Sequence, residues 1–271
     1  MEIFVPQLMD NLEVLNQLIS DFTRKKCITN NYLLVSQLKS LLNSKKLYVV
    51  VGNDNLILLV DRFISFQVYY HINNLEEQIF ANTQKPLMME IVFKGEQPSI
   101  IKEFWKRNGF VEHLTRINLA LTYKQKGEFE NTQNNLVIKI ADNEFEAKST
   151  TSLFENDLDR YTGDLKTFDE INEYVKKGNI LCAYYENEFC GAVQFQFKQS
   201  ICWLGHIAID SKFRGKGIAS SLVSNYLELN KQTEDSKYQL WVIDNNLPAV
   251  NLYNKFGFKH TGKSTLSMLK L

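Results

Sequence analysis

The 271-residue chain reads as an α/β protein of the α+β type, built from two tandem copies of one fold. Three observations predict this. Helical stripes and short apolar strands alternate along the whole length. The strand–turn–strand run from Lys46 to Val60 lines up with Asn179 to Val193 at an offset of 133. Two further matches follow in the same order: His71-Ile72 with His206-Ile207 at offset 135, and Phe104–Phe110 with Leu252–Phe258 at offset 148. Element order repeated at a near-constant period is the signature of a duplicated unit. The identities are few, and hairpins resemble one another by chance, so the reading rests on the order.

The elements can be justified in turn. Leu8, Leu12, Leu15, Leu18, Ile19 and Phe22 form a helical stripe, and Leu33, Leu34, Leu38, Leu41 and Leu42 form another. Both are core stripes. Leu47–Val51 and Leu56–Val60 are strands flanking the turn Gly52–Asn55. Strands are expected at 63–72, at Leu87–Phe93 and from Gly109 to near Tyr123, with a short helix over Ser99–Arg107. Residues 124–135 are polar and divide the chain into domains 1–123 and 136–271. Leu136–Ile140 opens the second copy as a strand, and 142–177 look helical. That stretch is rich in acids and aromatics, among them Glu144, Glu146, Glu155, Asp157, Asp159, Tyr161, Asp164, Phe168 and Asp169. Most of these acids fit a solvated helix face.

Composition narrows the classes. The chain is 44% hydrophobic and 23% charged, with no net charge, as in a soluble globular protein. Residues 1–126 carry 15 Lys and Arg against 12 Asp and Glu, and the remainder 16 against 19. Neither half is a basic footprint for nucleic acid. Cys27, Cys182, Cys190 and Cys202 form no C-x-x-C pair, so buried thiols are expected, with no disulfide framework and no metal site. The start M-E-I-F-V-P has no basic, cleavable leader, and no apolar run reaches the ~18 residues of a membrane span. A cytoplasmic protein without a membrane segment is the expectation.

One stretch carries chemistry. Trp203–Ile209 is a buried-strand pattern, Phe213–Ala219 reads F-R-G-K-G-I-A, and Ile218, Ala219, Leu222, Val223, Tyr226 and Leu227 fall on one helical face. A strand, a basic glycine loop and a helix start suit an anion. The first helical N–H groups lack partners, the helix dipole adds positive charge, and Gly215 and Gly217 admit a bulky phosphate beside Arg214 and Lys216. The loop is not a Walker loop, and Ser220 stands where a dinucleotide loop needs its third glycine. Taken alone it also reads as a basic turn capping a helix.

The pattern R-x-x-G-x-A, at Arg214, Gly217 and Ala219, resembles the acetyl-CoA loop of the GCN5-related N-acetyltransferases (GNAT). So does a later stretch. The strand Tyr238–Ile243 precedes N-x-x-A … L-Y-x-K-x-G-F, carried by Asn246, Ala249, Leu252, Tyr253, Lys255, Gly257 and Phe258. The resemblance covers 136–271 and implies two GNAT-like domains, each a mixed, mostly antiparallel sheet flanked by helices. It implies acetyl-CoA as acyl donor and an amine acceptor, and no metal. The backbone of Ile207, Ala208 and Ile209 would pair with the pantetheine arm. Arg214, Gly215, Lys216, Gly217, Ile218 and Ala219 would hold the pyrophosphate, with Asn246 and Lys255 also on CoA. Tyr253 is the candidate general acid and His206 the candidate base. The residues 142–177 would form the acceptor wall.

The first copy departs from the pattern. Where the second has its loop and helix, the first is about thirteen residues shorter. It reads N-N-L-E-E-Q-I-F, Asn73–Phe80, without glycine or a basic residue, and a helix starting at Glu76 and Glu77 would repel phosphate. Trp105 replaces the counterpart of Tyr253. The first copy is therefore expected to bind no CoA. The expected function is a small-molecule N-acetyltransferase, monomeric or homodimeric. A protein or peptide acetyltransferase, and a non-catalytic CoA-binding sensor or scaffold, are the alternatives.

Overall fold

A computed structural model describes residues 5–23, 27–62, 64–79, 83–122, 135–232 and 236–271. Nearly all of the polar stretch 124–135 lies outside the described residues, as do Phe63, Phe80 and Tyr123. In chain order the elements are β1 (Gln7–Leu8), α1 (Leu12–Thr23), β2 (Ile28–Thr29), α2 (Val35–Asn43), β3 (Leu47–Val51), β4 (Asn55–Asp61), β5 (Phe66–Ile72), β6 (Leu87–Lys94), α3 (Ser99–Arg107) and β7 (Val111–Thr122). There follow β8 (Leu136–Ile140), α4 (Glu144–Asp157), α5 (Phe168–Lys176), β9 (Ile180–Tyr185), β10 (Glu188–Lys198), β11 (Ile201–Ile209), a 3-10 turn at Ser211–Phe213, α6 (Ile218–Leu229), β12 (Lys237–Ile243), α7 (Leu247–Lys255) and β13 (Lys259–Lys270).

These residues form two compact units. One is Met1–Thr115 with Lys263–Leu271, and the other is Arg116–Gly262. The units therefore do not follow the division at 124–135 expected from the sequence. Each is completed by a strand from the far end of the other stretch. Residues 116–122 of β7 pair antiparallel with β12, and residues 263–270 of β13 pair antiparallel with β6.

In the first unit the sheet runs β1-β3-β4-β5-β6 and then the 263–270 stretch of β13, with β2 attached to β5. All these pairings are antiparallel except β5 with β6. The helical stripe of α1 buries Leu15 and Phe22, and α2 buries Leu38 and Leu42, on one face of this sheet. Its other face packs Ile57, Val68, Met89 and Leu266 with Ile101, Phe104 and Trp105 of α3.

In the second unit the order is β7-β12-β11-β10-β9-β8, antiparallel except for β11 with β12. The apolar side of α6 packs on one face with Leu204, Val193 and Tyr238. On the other face α4 and α5 bury Ala147, Phe154, Ile171 and Val175 against Cys182 and Ala208. The expected helical stretch 142–177 thus splits into two helices. Asn143 caps α4 through Glu146 N–H, and Thr167 and Glu170 form a capping box on α5. Among the described residues no helix is long and apolar enough to cross a membrane. Cys182, Cys190 and Cys202 are buried free thiols, and Cys27 is partly exposed.

The two units share the order of strands β3–β6 and β9–β12, each set followed by a helix. Among the described residues α6 has no counterpart in the first unit. Between β5 and β6 the described residues 73–79 contain no helix, which corrects the expected helix start at Glu76 and Glu77. The Glu77 carboxylate instead accepts from the backbone N–H groups of Asn53 and Asp54, at 2.6 and 3.1 Å, and so tethers the β3–β4 turn.

Candidate active site

The site lies within the second unit, where two parallel strands part. β11 and β12 pair only from Ile201–Lys237 to Leu204–Leu240. Beyond Leu204, β11 runs on beside β10 alone, while β12 stays on β7 as far as Ile243. The cause of the parting is local. The register with β10 passes from Gln194–His206 to Phe195–Leu204, so Gly205 is the extra residue of a bulge. A Cβ on Gly205 would stand 2.0 Å from the Gln194 Oε1, so a larger residue there would require the Gln194 amide to move. Gln194 is itself buried and donates to the Phe195 carbonyl.

Register fixes which backbone groups face the opening. Asp210 N–H donates to the Cys190 carbonyl, so Asp210, Ala208 and His206 direct their backbone groups to β10. By alternation, Ile207 and Ile209 direct theirs away, into the gap. The side chains of Ile207 and Ala208 are partly and fully buried, respectively, and that of Ile209 is buried.

The loop after β11 leads to the start of α6. Asp210 accepts from Lys212 N–H at 3.0 Å and starts the 3-10 turn, whose Phe213 is buried. Gly217 is the N-cap of α6 at φ 75°, a left-handed conformation that glycine adopts without cost. It offers no side chain to the first helical N–H groups. Gly215, Lys216 and Gly217 are exposed, Ile218 is buried and Ala219 partly so. Among the described residues, its chain neighbours aside, nothing stands within 4 Å of a Cβ built on Gly215. The Lys216 ammonium lies 4.4 Å from the centre of the Tyr185 ring. Arg214 does not extend its guanidinium into this loop as a spare charge. It pairs with Asp157, the last residue of α4, and its Nε donates to the Ile209 carbonyl at 3.1 Å.

At the end of β12, Asn246 caps α7 by accepting from Ala249 N–H at 3.2 Å, with Pro248 in the first turn. Lys255, in the last turn, is exposed. Tyr253 is buried, its ring 5.7 Å from that of Phe258. Among the described residues its hydroxyl has no hydrogen-bond partner, and burial raises its pKa above the usual phenol range.

His206 sits under α4 and the 158–167 connection. Its ring meets that of Phe154 edge-on at 5.4 Å. Part-exposed by surface area, the residue is nonetheless crowded by neighbours, and its pKa is lowered to about 4, chiefly by burial. Asp164 opposes that shift, while Lys166 and Arg116 add to it. The connection is itself a built loop. Asp159 Oδ1 accepts from the N–H groups of Tyr161 and Thr162 and from the Thr162 hydroxyl. Asp164, at φ 47°, pairs with Lys166 at 2.6 Å, and Arg116 donates to the Thr162 carbonyl.

The acids of 142–177 thus have separate fates. Glu146 is wholly buried and accepts from Tyr184, Lys139 and Asp142 N–H. Glu144 pairs with Lys148, Asp157 with Arg214 and Asp164 with Lys166. Sequence reasoning missed the Gly205 bulge, the Arg214–Asp157 pair and the Asp159 loop. A glycine within an apolar strand signals a bulge, but the ion pair joins residues 57 positions apart and leaves no sequence trace.

Residues 143–258 match the model of the acetyltransferase (GNAT) family. The fold is similar to that of a GCN5-related N-acetyltransferase from Sphaerobacter thermophilus, 13% identical, with 98% of this chain and 95% of that one covered at a TM-score of 0.65. A tandem GNAT protein from the clavulanic acid biosynthesis pathway is 11% identical, covering 98% and 97% at a TM-score of 0.58. At such identities the likeness is one of fold. Among curated proteins, the spermine/spermidine N(1)-acetyltransferase of Bacillus subtilis is 26% identical over 89 residues, 30% of this chain and 59% of that protein. Human N-acetyltransferase 8B is 38% identical over 61 residues, 22% of this chain and 27% of that protein. The chain thus matches less than two thirds of the length of these relatives.

Proposed function

We propose that the second unit is an N-acetyltransferase that moves an acetyl group from acetyl-CoA to the amine of a small acceptor by direct attack. The observation that carries this reading is the parting of β11 from β12 beside an uncapped helix start. The backbone of Ile207 and the N–H of Ile209, directed away from β10, face a ligand rich in amides, while the Ile209 carbonyl is held by Arg214. The N–H groups at the start of α6 offer an anion site at the far end of the same groove. The residues fit acetyl-CoA: amide arm along Ile207–Ile209, pyrophosphate at Gly215–Ala219, with Lys216, Lys255 and the Asn246 amide at its edges. Arg214 adds positive charge beside that site, offset by its pairing with Asp157.

Acetyl-CoA supplies an activated acyl group, so the protein has to align, accept a proton and return one. An N–H of Ile207 or Ile209 facing the gap can steady the acyl oxygen. Tyr253 keeps its proton across the physiological range and can pass it to the leaving thiolate. The burial that raises the phenol also raises the proton affinity of a thiolate formed next to it. His206 is neutral at pH 7 and can take the amine proton once attack makes that nitrogen acidic. The polyamine acceptor in the name of the Bacillus relative is not carried over, since Glu144, Glu146, Asp157 and Asp164 are already paired with cations.

The test is release of free thiol from acetyl-CoA across an amine library, with mass spectrometry of the products. Acceptor-dependent release with an N-acetyl product is expected. Tight CoA binding with no release for any amine, peptides included, would overturn catalysis in favour of a sensor.

A further inference from the structure

We infer that the first unit carries its own ligand: Ile28–Asn30 fill the groove that corresponds to the one proposed above for the pantetheine arm. This rests on that reading of the second unit. β5 and β6 pair in parallel only from Phe66–Leu87 to Val68–Met89 and then part, as β11 and β12 do. Tyr70 N–H and the Val68 carbonyl face the opening, and by alternation so do the backbone groups of Ile72, the counterpart of Ile207.

In the first unit the opening is occupied. Asn30, buried, lays its carboxamide across it. The Oδ1 accepts from Tyr70 N–H at 2.8 Å, and the Nδ2 donates to the carbonyls of Val68 at 3.2 Å and Glu90 at 3.0 Å. One side-chain amide thus joins both parted strands. Beside it β2 pairs antiparallel with β5, Ile28 opposite Ile72 and Thr29 opposite His71. An amide-rich arm would need these same backbone groups.

The acceptor end is filled as well. His71, the counterpart of His206, is buried, with Asn31 Nδ2 3.1 Å from its Nε2 and with Thr23 Oγ1 and Cys27 Sγ each 3.5 Å from its Nδ1. Both ring nitrogens are engaged. Trp105 closes the far wall against Tyr70 and Phe110. The first unit has therefore not merely lost a phosphate loop. It has replaced the ligand with a segment of its own chain, which satisfies the strand edges that a parted sheet leaves open.

Amide hydrogen exchange on the full chain, with and without CoA, tests this. Amides of 68–72 should be protected without CoA and unchanged by it, while those of 205–209 gain protection on adding it. Asn30→Ala should speed exchange at Tyr70 by about tenfold, the worth of one hydrogen bond, and leave the response at 205–209 intact. Should that variant fail to fold, Asn30→Asp keeps the acceptor for Tyr70 and loses both donors. It should speed exchange across the Val68–Glu90 gap. CoA-dependent protection at 68–72, or unchanged Tyr70 exchange in Asn30→Ala, would overturn the inference. A missing CoA response at 205–209 overturns the functional reading it rests on, and is read at a different peptide.

Discussion

Arg214 is bound to Asp157, so the most forward cation of the glycine loop is held by a carboxylate from another helix. Both side chains are substantially exposed, at 55% and 31%, and such pairs contribute about 0.2–1 kcal/mol to stability. The larger effect is on charge. Asp157→Asn removes a negative charge beside the proposed pyrophosphate site. CoA affinity should rise by up to about fivefold at low salt and less at high salt, with Tm nearly unchanged. Calorimetry at two salt concentrations checks this. Weaker binding would mean that the pair preorganises the loop instead.

Gly217→Glu should abolish CoA binding while the fold persists. It puts a carboxylate at an uncapped helix start and a side chain at φ 75°, a conformation costing about 1–2 kcal/mol for non-glycine residues. Circular dichroism reports the fold and calorimetry the binding. Unchanged affinity in the folded variant would remove the phosphate assignment.

Tyr253→Phe tests the acid. The ring still packs on Phe258, and among the described residues the hydroxyl has no partner to lose. Affinity for acetyl-CoA should hold while turnover falls by roughly 10²–10⁴. Single-turnover kinetics separate the chemical step from product release. An unaltered chemical rate would retire the tyrosine.

The lowered pKa of His206 changes its expected pH dependence. From the residue type alone, an acidic limb near 6.5 is expected. With the folded-state value at about 4, from burial first and from Lys166 and Arg116 besides, the limb due to this imidazole should lie near pH 4. Stability follows the same sign. The unfolded chain binds the proton below about 6.5 and the folded protein only below about 4, so stability falls as pH drops through that window. His206→Gln should flatten that part of the curve. Denaturant titrations between pH 4 and 7 read it directly.

Glu146 is a structural carboxylate, buried and shared by Tyr184, Lys139 and the Asp142 N–H. Glu146→Ala should destabilise by about 1–3 kcal/mol for each buried donor left unmet. A fall in Tm with CoA affinity intact would separate it from the site.

Much of the fold was legible because periodicity reports burial. The helix Ser99–Arg107 and the strand Leu136–Ile140 fall where their apolar spacing put them, and α6 starts at the glycine loop. The repeat was legible too, since strand order survives when identity does not. What could not be read was long-range. Asn30 looks like any polar residue between two helices, and only its contacts with Tyr70 and Glu90 show its part. Arg214 reads as a free cation until its partner on α4 is known. The 73–80 segment read as a helix start because acids favour one, yet Glu77 is spent on a turn from β3 to β4.

The crossing of β7 and β13 bears on how the chain is made. The partners Lys94 and Lys263 are about 170 residues apart. During synthesis β6 emerges long before the strand that will cover its edge. An exposed edge is a template for wrong pairing, and closing so long a loop is slow as well as entropically costly. The nascent first unit therefore lacks its edge strand until the whole second unit has been translated. A cut anywhere in 124–134 would leave two fragments that can each be completed only by the other.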